Sequence, residues 1–198
     1  MTIWKARSTA AGLVLGIWLC SGTAWAQWRD HQGNELPDSA ARKQHKGLSA
    51  HLVMATQSEF DRFRQEWIST PPEHGPSLST VETAHRGDEV AVIITYAGCQ
   101  PSANNAGACD ALMDLRVSKP DGSVYFQDEG ISVAGNTPPA AKVVQLSPVS
   151  LTIIFEPDDP LGVYVVEARL NDPSQDAWLE LRREITLLDV EPIRKEAH

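Results

Sequence analysis

The chain is short of three things. Cysteine is scarce, with three in 198 residues. Positive charge is scarce too, with 17 Lys and Arg against 26 Asp and Glu. Beyond the first 26 residues there is no apolar run of about 20, the length a membrane span needs. Each shortage excludes something. An acidic surface repels nucleic-acid phosphates and anionic lipid heads, so neither is an expected partner. The missing span leaves no integral membrane segment once the N-terminus is removed. Recognisable site chemistry is also missing. His31, His45, His51, His74 and His85 form no pair at i, i+2 or i+4, the spacing by which zinc and copper sites usually announce themselves. No Gly-x-Ser-x-Gly elbow occurs, and no glycine-rich phosphate loop stands between a strand and a helix. The residues therefore point away from catalysis, and no cofactor is expected.

What is present begins with an address. Residues 1–7 carry Lys5 and Arg7 and no acid, residues 10–19 are apolar, and Ala24-Trp25-Ala26 offers small residues where a signal peptidase reads them. This is the form of a secretory signal, residues 1–26, with cleavage before Gln27. Ile17-Trp18-Leu19 before Cys20 is too bulky for a lipoprotein signal. The remaining 172 residues lose two basic side chains and no acid, and carry a net charge of −11. That is one domain, large enough to bury a core unaided. Two cysteines remain, Cys99 and Cys109. Outside the cytosol their expected state is a disulfide, which would stabilise the fold by roughly 2–3 kcal/mol through loop closure. A redox-active pair usually sits two residues apart, which these do not.

Residues 27–47 are polar and poor in large apolar side chains, the composition of a flexible leader. Residues 52–54 suggest a first short strand. Thr56-Gln57-Ser58-Glu59 has the form of a capping box and opens a helix over about 56–69. Phe60, Phe63 and Trp67 share one of its faces, the pattern of a short helix plugging one end of a core. Thr70-Pro71-Pro72 stops it. From residue 81 the period is that of strands. Residues 89–97 are apolar on both faces, as in the middle of a sheet. Residues 112–118 alternate cleanly, Lys119-Pro120-Asp121-Gly122 turns, and 123–127 run back as a hairpin partner. Residues 128–142 read as a loop. Strands follow at 151–156, 162–170 and 178–188, the last with Leu179, Leu181, Ile185 and Leu187 on one face and Arg183 interrupting it. Nothing in the pattern explains Arg183.

Seven to eight short strands separated by turns predict an antiparallel β-sandwich over 48–190, followed by a tail at 191–198. Tyr164, two residues after Gly162, fits the corner tyrosine of immunoglobulin-like sandwiches, whose hydroxyl ties the corner to the backbone. The predicted class is thus mainly β, immunoglobulin-like, with one short N-terminal helix. The order Arg86-Gly87-Asp88, Ala97-Gly98-Cys99, Cys109, Lys119-Pro120-Asp121-Gly122-Ser123-Val124-Tyr125 and residues 156–164 resembles a group of small exported proteins of Gram-negative bacteria. The resemblance covers about residues 81–187. It implies a periplasmic β-sandwich with a loop-closing disulfide and carries no catalytic residue, because its motifs are turns and strand starts.

Function then falls to binding, with a protein or peptide of the cell envelope as partner and a periplasmic or secreted location. Two loops are candidates. One is 100–108, with Gln100, Asn104 and Asn105, where a cross-link would lower the entropy lost on binding. The other is 131–142, with Asn136, Pro138 and Pro139. Two further readings stand beside this one. Asp158, Asp159, Asp172 and Asp176 lie in turns and could serve a calcium-dependent or hydrolytic protein, although the residue order of a calcium loop is missing and Asx-turns use the same side chains. An accessory subunit of a surface appendage would instead need an exposed edge strand.

Overall fold

The computed structural model describes residues 28, 32, 34–70, 76–135 and 143–189. The signal segment, the cleavage point before Gln27, Asn136, Pro138, Pro139 and the tail at 191–198 lie outside the described residues. Among those described, ten strands and one α-helix run in the order β1 (Arg42–His45), β2 (Leu48–Thr56), α1 (Gln57–Ser69), β3 (Thr83–His85), β4 (Glu89–Ala97), β5 (Leu112–Ser118), β6 (Val124–Ser132), β7 (Gln145–Leu146), β8 (Leu151–Ile154), β9 (Gly162–Asp172) and β10 (Ala177–Leu188). They form two sheets. Sheet one is ordered β1-β2-β4, with β7 and β8 sharing the far edge of β4. Sheet two is ordered β3-β10-β9-β5-β6. Every pairing is antiparallel except β3 with β10, which is parallel, so sheet two is mixed.

The two sheets stack as a β-sandwich. Leu52, Met54, Val90, Val92 and Ile94 of sheet one meet Met113, Leu115, Val117, Tyr164, Val166, Leu170, Leu179, Leu181, Ile185 and Leu187 of sheet two, all buried. Each large aliphatic side chain so buried contributes about 1.5–3 kcal/mol. β2 and β4 are apolar on their outer face as well, because α1 lies there. Phe60 and Phe63 bury against Val53, Ala55, Ala91 and Ile93, with Trp67 at the rim. The helix covers the outside of sheet one and does not plug a core end. It follows β2 without a linker, so the chain folds straight back over the sheet it has just left.

The capping box is half formed. Thr56 Oγ1 accepts from the Glu59 amide at 3.3 Å, while the Glu59 carboxylate turns to Arg62 Nη2 at 2.6 Å and the Ser79 amide at 3.0 Å. Two segments with weak strand patterns are strands after all. Residues 42–45, in the polar stretch before residue 48, form β1, because Lys46 and Gly47 both adopt positive φ (49° and 93°) and close a two-residue hairpin onto β2. β6 continues to Ser132 through residues that resemble a loop. Asp114 stands opposite an extra residue between the pairs Leu115 with Asp128 and Met113 with Ile131, and Gly130, at φ 67°, takes up the bulge.

Candidate functional site

Both ends of the sandwich are locked by their own side chains. At one end the Cys99–Cys109 disulfide, with Cα atoms 6.0 Å apart, closes the 100–108 loop. Inside that loop Ser102 Oγ accepts from the Asn104 amide at 3.2 Å, and Asn105 Nδ2 donates to the Cys109 carbonyl at 3.2 Å. Asp172 is fully buried beneath it. Its carboxylate accepts from the Gln100 amide at 2.9 Å, the Ser174 amide at 3.1 Å and Gln175 Nε2 at 2.6 Å. Asp176 is exposed and pairs with Lys46 Nζ at 2.6 Å; that hydrogen bond holds its carboxyl below the ordinary range.

At the other end three motifs that looked separate in sequence converge. The Tyr164 hydroxyl donates to the Pro160 carbonyl at 3.0 Å. Its ring meets Tyr125 and Phe155 edge-on, at 5.5 and 5.1 Å between centroids. Asp159 is buried, and its Oδ2 accepts from the Tyr125 hydroxyl at 2.9 Å and the Glu156 amide at 2.8 Å. Arg86 Nη2 donates to the Asp159 carbonyl at 3.1 Å. Burial, reinforced by Asp159, pushes the Tyr164 phenol up to about 12 and raises Tyr125 as well.

The four aspartates are therefore not one site. The eleven residues of β9 separate the Asp158/Asp159 turn from the Asp172/Asp176 turn, a span of roughly 33 Å. The two buried carboxylates are already occupied by amides and a phenol. Among the described residues no group of three or more His, Cys, Asp or Glu is placed to hold a metal ion.

The sheet edges are blunted. β1 has four residues and β3 three. β7 and β8 form a broken edge, interrupted at residues 147–150 around Pro148. β6 is long but carries two register shifts, which twist an edge away from further pairing. The exposed face of sheet two holds Trp178, Leu112 and alternating charges. Asp114 and Glu180 flank Arg169, and Arg116 and Arg182 flank Glu167.

A further opening, besides a shallow cleft of about 490 Å³ on the charged outer face of sheet two, lies in the seam between the sheets. Residues 39–41 and 81–82 each bridge β10 to β2. The Arg182 amide donates to the Ala40 carbonyl at 2.7 Å and the Leu52 amide to the Ala41 carbonyl at 2.8 Å; the Thr186 amide donates to the Glu82 carbonyl at 2.9 Å and the Val81 amide to the Met54 carbonyl at 2.9 Å. Between the two bridges lies a cleft of about 530 Å³ lined by Ser39, Ala41, Glu82, Arg183, Glu184 and Thr186, among others. Backbone amides alternate in direction along a strand. The Glu184 amide, between those of Arg182 and Thr186, thus points into the cleft and meets no carbonyl among the described residues.

Arg183, the interruption in the apolar face of β10, belongs to this cleft. It stands opposite Val166 on the side facing sheet one and reaches across the seam, where its Nε donates to the Leu52 carbonyl at 3.3 Å. Behind it, on the outer face of β2, His51 packs edge-on against Trp28 at 5.9 Å. Burial, aided by the cations Arg183 and Arg42, lowers the His51 imidazole to about 4. Arg183 was the one sequence signal for the cleft; the flanking bridges left none.

Comparison with protein-family models and with curated proteins yields no match. Two solved structures are similar in outline. A Niemann-Pick type C2 protein from Japanese carpenter ant is 8% identical, with a TM-score of 0.37, over 69% of this chain and 89% of that one. A family 123 glycoside hydrolase from Clostridium perfringens is 9% identical, with a TM-score of 0.40, over 72% of this chain; the chain spans 27% of the hydrolase. At those values neither likeness bears on function. No helix among the described residues is long and apolar enough to cross a membrane.

Proposed function

We propose that this chain is an exported, non-catalytic module of the cell envelope, periplasmic or secreted, that binds an extended peptide or a segment of another protein. The immunoglobulin-like character and the kinship with small exported Gram-negative proteins belong to the same proposal. The observation that carries it is the break in pairing along β10, where a strand edge whose Glu184 amide meets no carbonyl among the described residues faces a cleft of about 530 Å³. A volume of that order suits a ligand, and a free strand edge recognises extended backbone. The structural disulfide is consistent with an oxidising compartment.

The test is capture from an envelope extract on the immobilised mature chain. Glu184→Pro removes the amide hydrogen that faces the cleft and leaves the β9 ladder untouched. A partner retained by the wild type and lost by a folded Glu184→Pro variant supports the proposal. Equal retention by both sinks it.

A further inference from the structure

We propose that the seam cleft selects a peptide bearing a carboxylate, and that the Arg183 guanidinium is the group that reads it. The inference rests on the peptide-binding reading above and adds the ligand's chemistry.

Arg183 is half-buried and carries five N–H donors. One of them, on Nε, is committed to the Leu52 carbonyl. Both Nη groups are without an acceptor among the described residues, and Arg183 forms no ion pair there. A guanidinium taken partly out of water calls for a counter-anion. Its planar fork matches the two oxygens of a carboxylate. The two acids that line the cleft do not supply one: Glu184 lies on the outward side of β10, where Arg182 holds its carboxylate oxygen at 2.9 Å, and Glu82 forms no ion pair with Arg183 among the described residues. The Glu184 amide and the Arg183 fork thus present a backbone reader beside an anion reader. The Ala40 and Glu82 bridges sit on Arg182 and Thr186, with three residues of β10 between them; the four steps from one bridge to the other measure about 13 Å, room for the backbone of a segment of roughly three residues.

The experiment uses the ¹⁵N-labelled mature chain with its disulfide intact. Three probes are titrated: acetyl-Val-Thr-Glu-Val-amide, the same peptide with Gln for Glu, and the Gln peptide with a free C-terminal carboxylate. We expect at least one acid-bearing peptide to move the Glu184 amide and Arg183 Nε–H resonances and to bind about tenfold tighter than the neutral amide, the effect of one charge-assisted hydrogen-bonded pair. The tighter of the two acids identifies the source as side chain or terminus. In Arg183→Lys, which keeps the charge and loses the fork, the preference falls to within about threefold. If all three peptides bind equally at Glu184, the carboxylate inference is overturned while peptide binding stands. If none moves the Glu184 amide at ~10 mM, both fall. Should Arg183→Lys fail to fold, the wild-type comparison decides alone.

Discussion

Acid should loosen the region behind the cleft, and the size of the effect follows from His51. Its imidazole sits at about 4 in the folded chain against 6.5 for a free histidine. Burial is the main cause, and Arg183 from β10 and Arg42 from β1 add repulsion. Because the folded value is depressed, the unfolded chain takes up the proton first as pH falls. The favourable contribution is complete above 6.5 and is lost progressively on descending through 4. Between pH 7 and pH 5 the linkage gives about 2 kcal/mol; the imidazole keeps some access to water, so about 1 kcal/mol is expected to survive screening. Urea unfolding at pH 7, 6 and 5 of the wild type and of His51→Gln measures it. The difference between the two proteins should shift by about 1–2 kcal/mol toward the variant as pH drops, and adding Arg183→Gln to the wild type should shrink the shift. Parallel stability curves for wild type and His51→Gln would refute the burial and the two-arginine environment together.

Other consequences concern the two locked ends. Asp172→Ala strips an acceptor from three donors at a fully buried site and should cost about 3 kcal/mol or more in urea unfolding; a loss under about 1 kcal/mol would mean the turn does not depend on it. Tyr164→Phe removes only the hydrogen bond to the Pro160 carbonyl and should cost about 1–2 kcal/mol, with no change in the sandwich by circular dichroism. Reducing Cys99–Cys109 should lower stability by roughly 2–3 kcal/mol and should speed exchange of the Gln100 and Asn104 amides without disturbing those of β5.

Much of the sandwich could be read from the chain because its central strands obey simple rules. Residues 89–97 are apolar on both faces, and that alone put them mid-sheet. The reason for the second face, the Phe60 and Phe63 cover, needed the helix placed. β1 escaped because an edge strand exposed to water has no alternation to show; its sign was the pair Lys46-Gly47, whose positive φ angles close the turn. β6 escaped beyond residue 127 because a bulge spoils the period. The two aspartate turns stand at opposite ends of β9. Asp159 and Asp172 attract notice as acids, yet each spends its oxygens on its own end of the sandwich. The cleft was the hardest to see. It depends on two bridging segments, 39–41 and 81–82, whose carbonyl pairings with β10 are non-local and leave no periodic trace. Only Arg183, out of place on an apolar face, pointed to it.

Amide hydrogen exchange along β10 tests the central claim most directly. In the chain alone, Glu184 should exchange fast, at a rate near that of an open loop, while Arg182 and Thr186 on either side are slowed by their bonds to Ala40 and Glu82; a bound peptide should slow Glu184 to match them. An amide at Glu184 already as protected as its two neighbours, with nothing bound, would contradict the account.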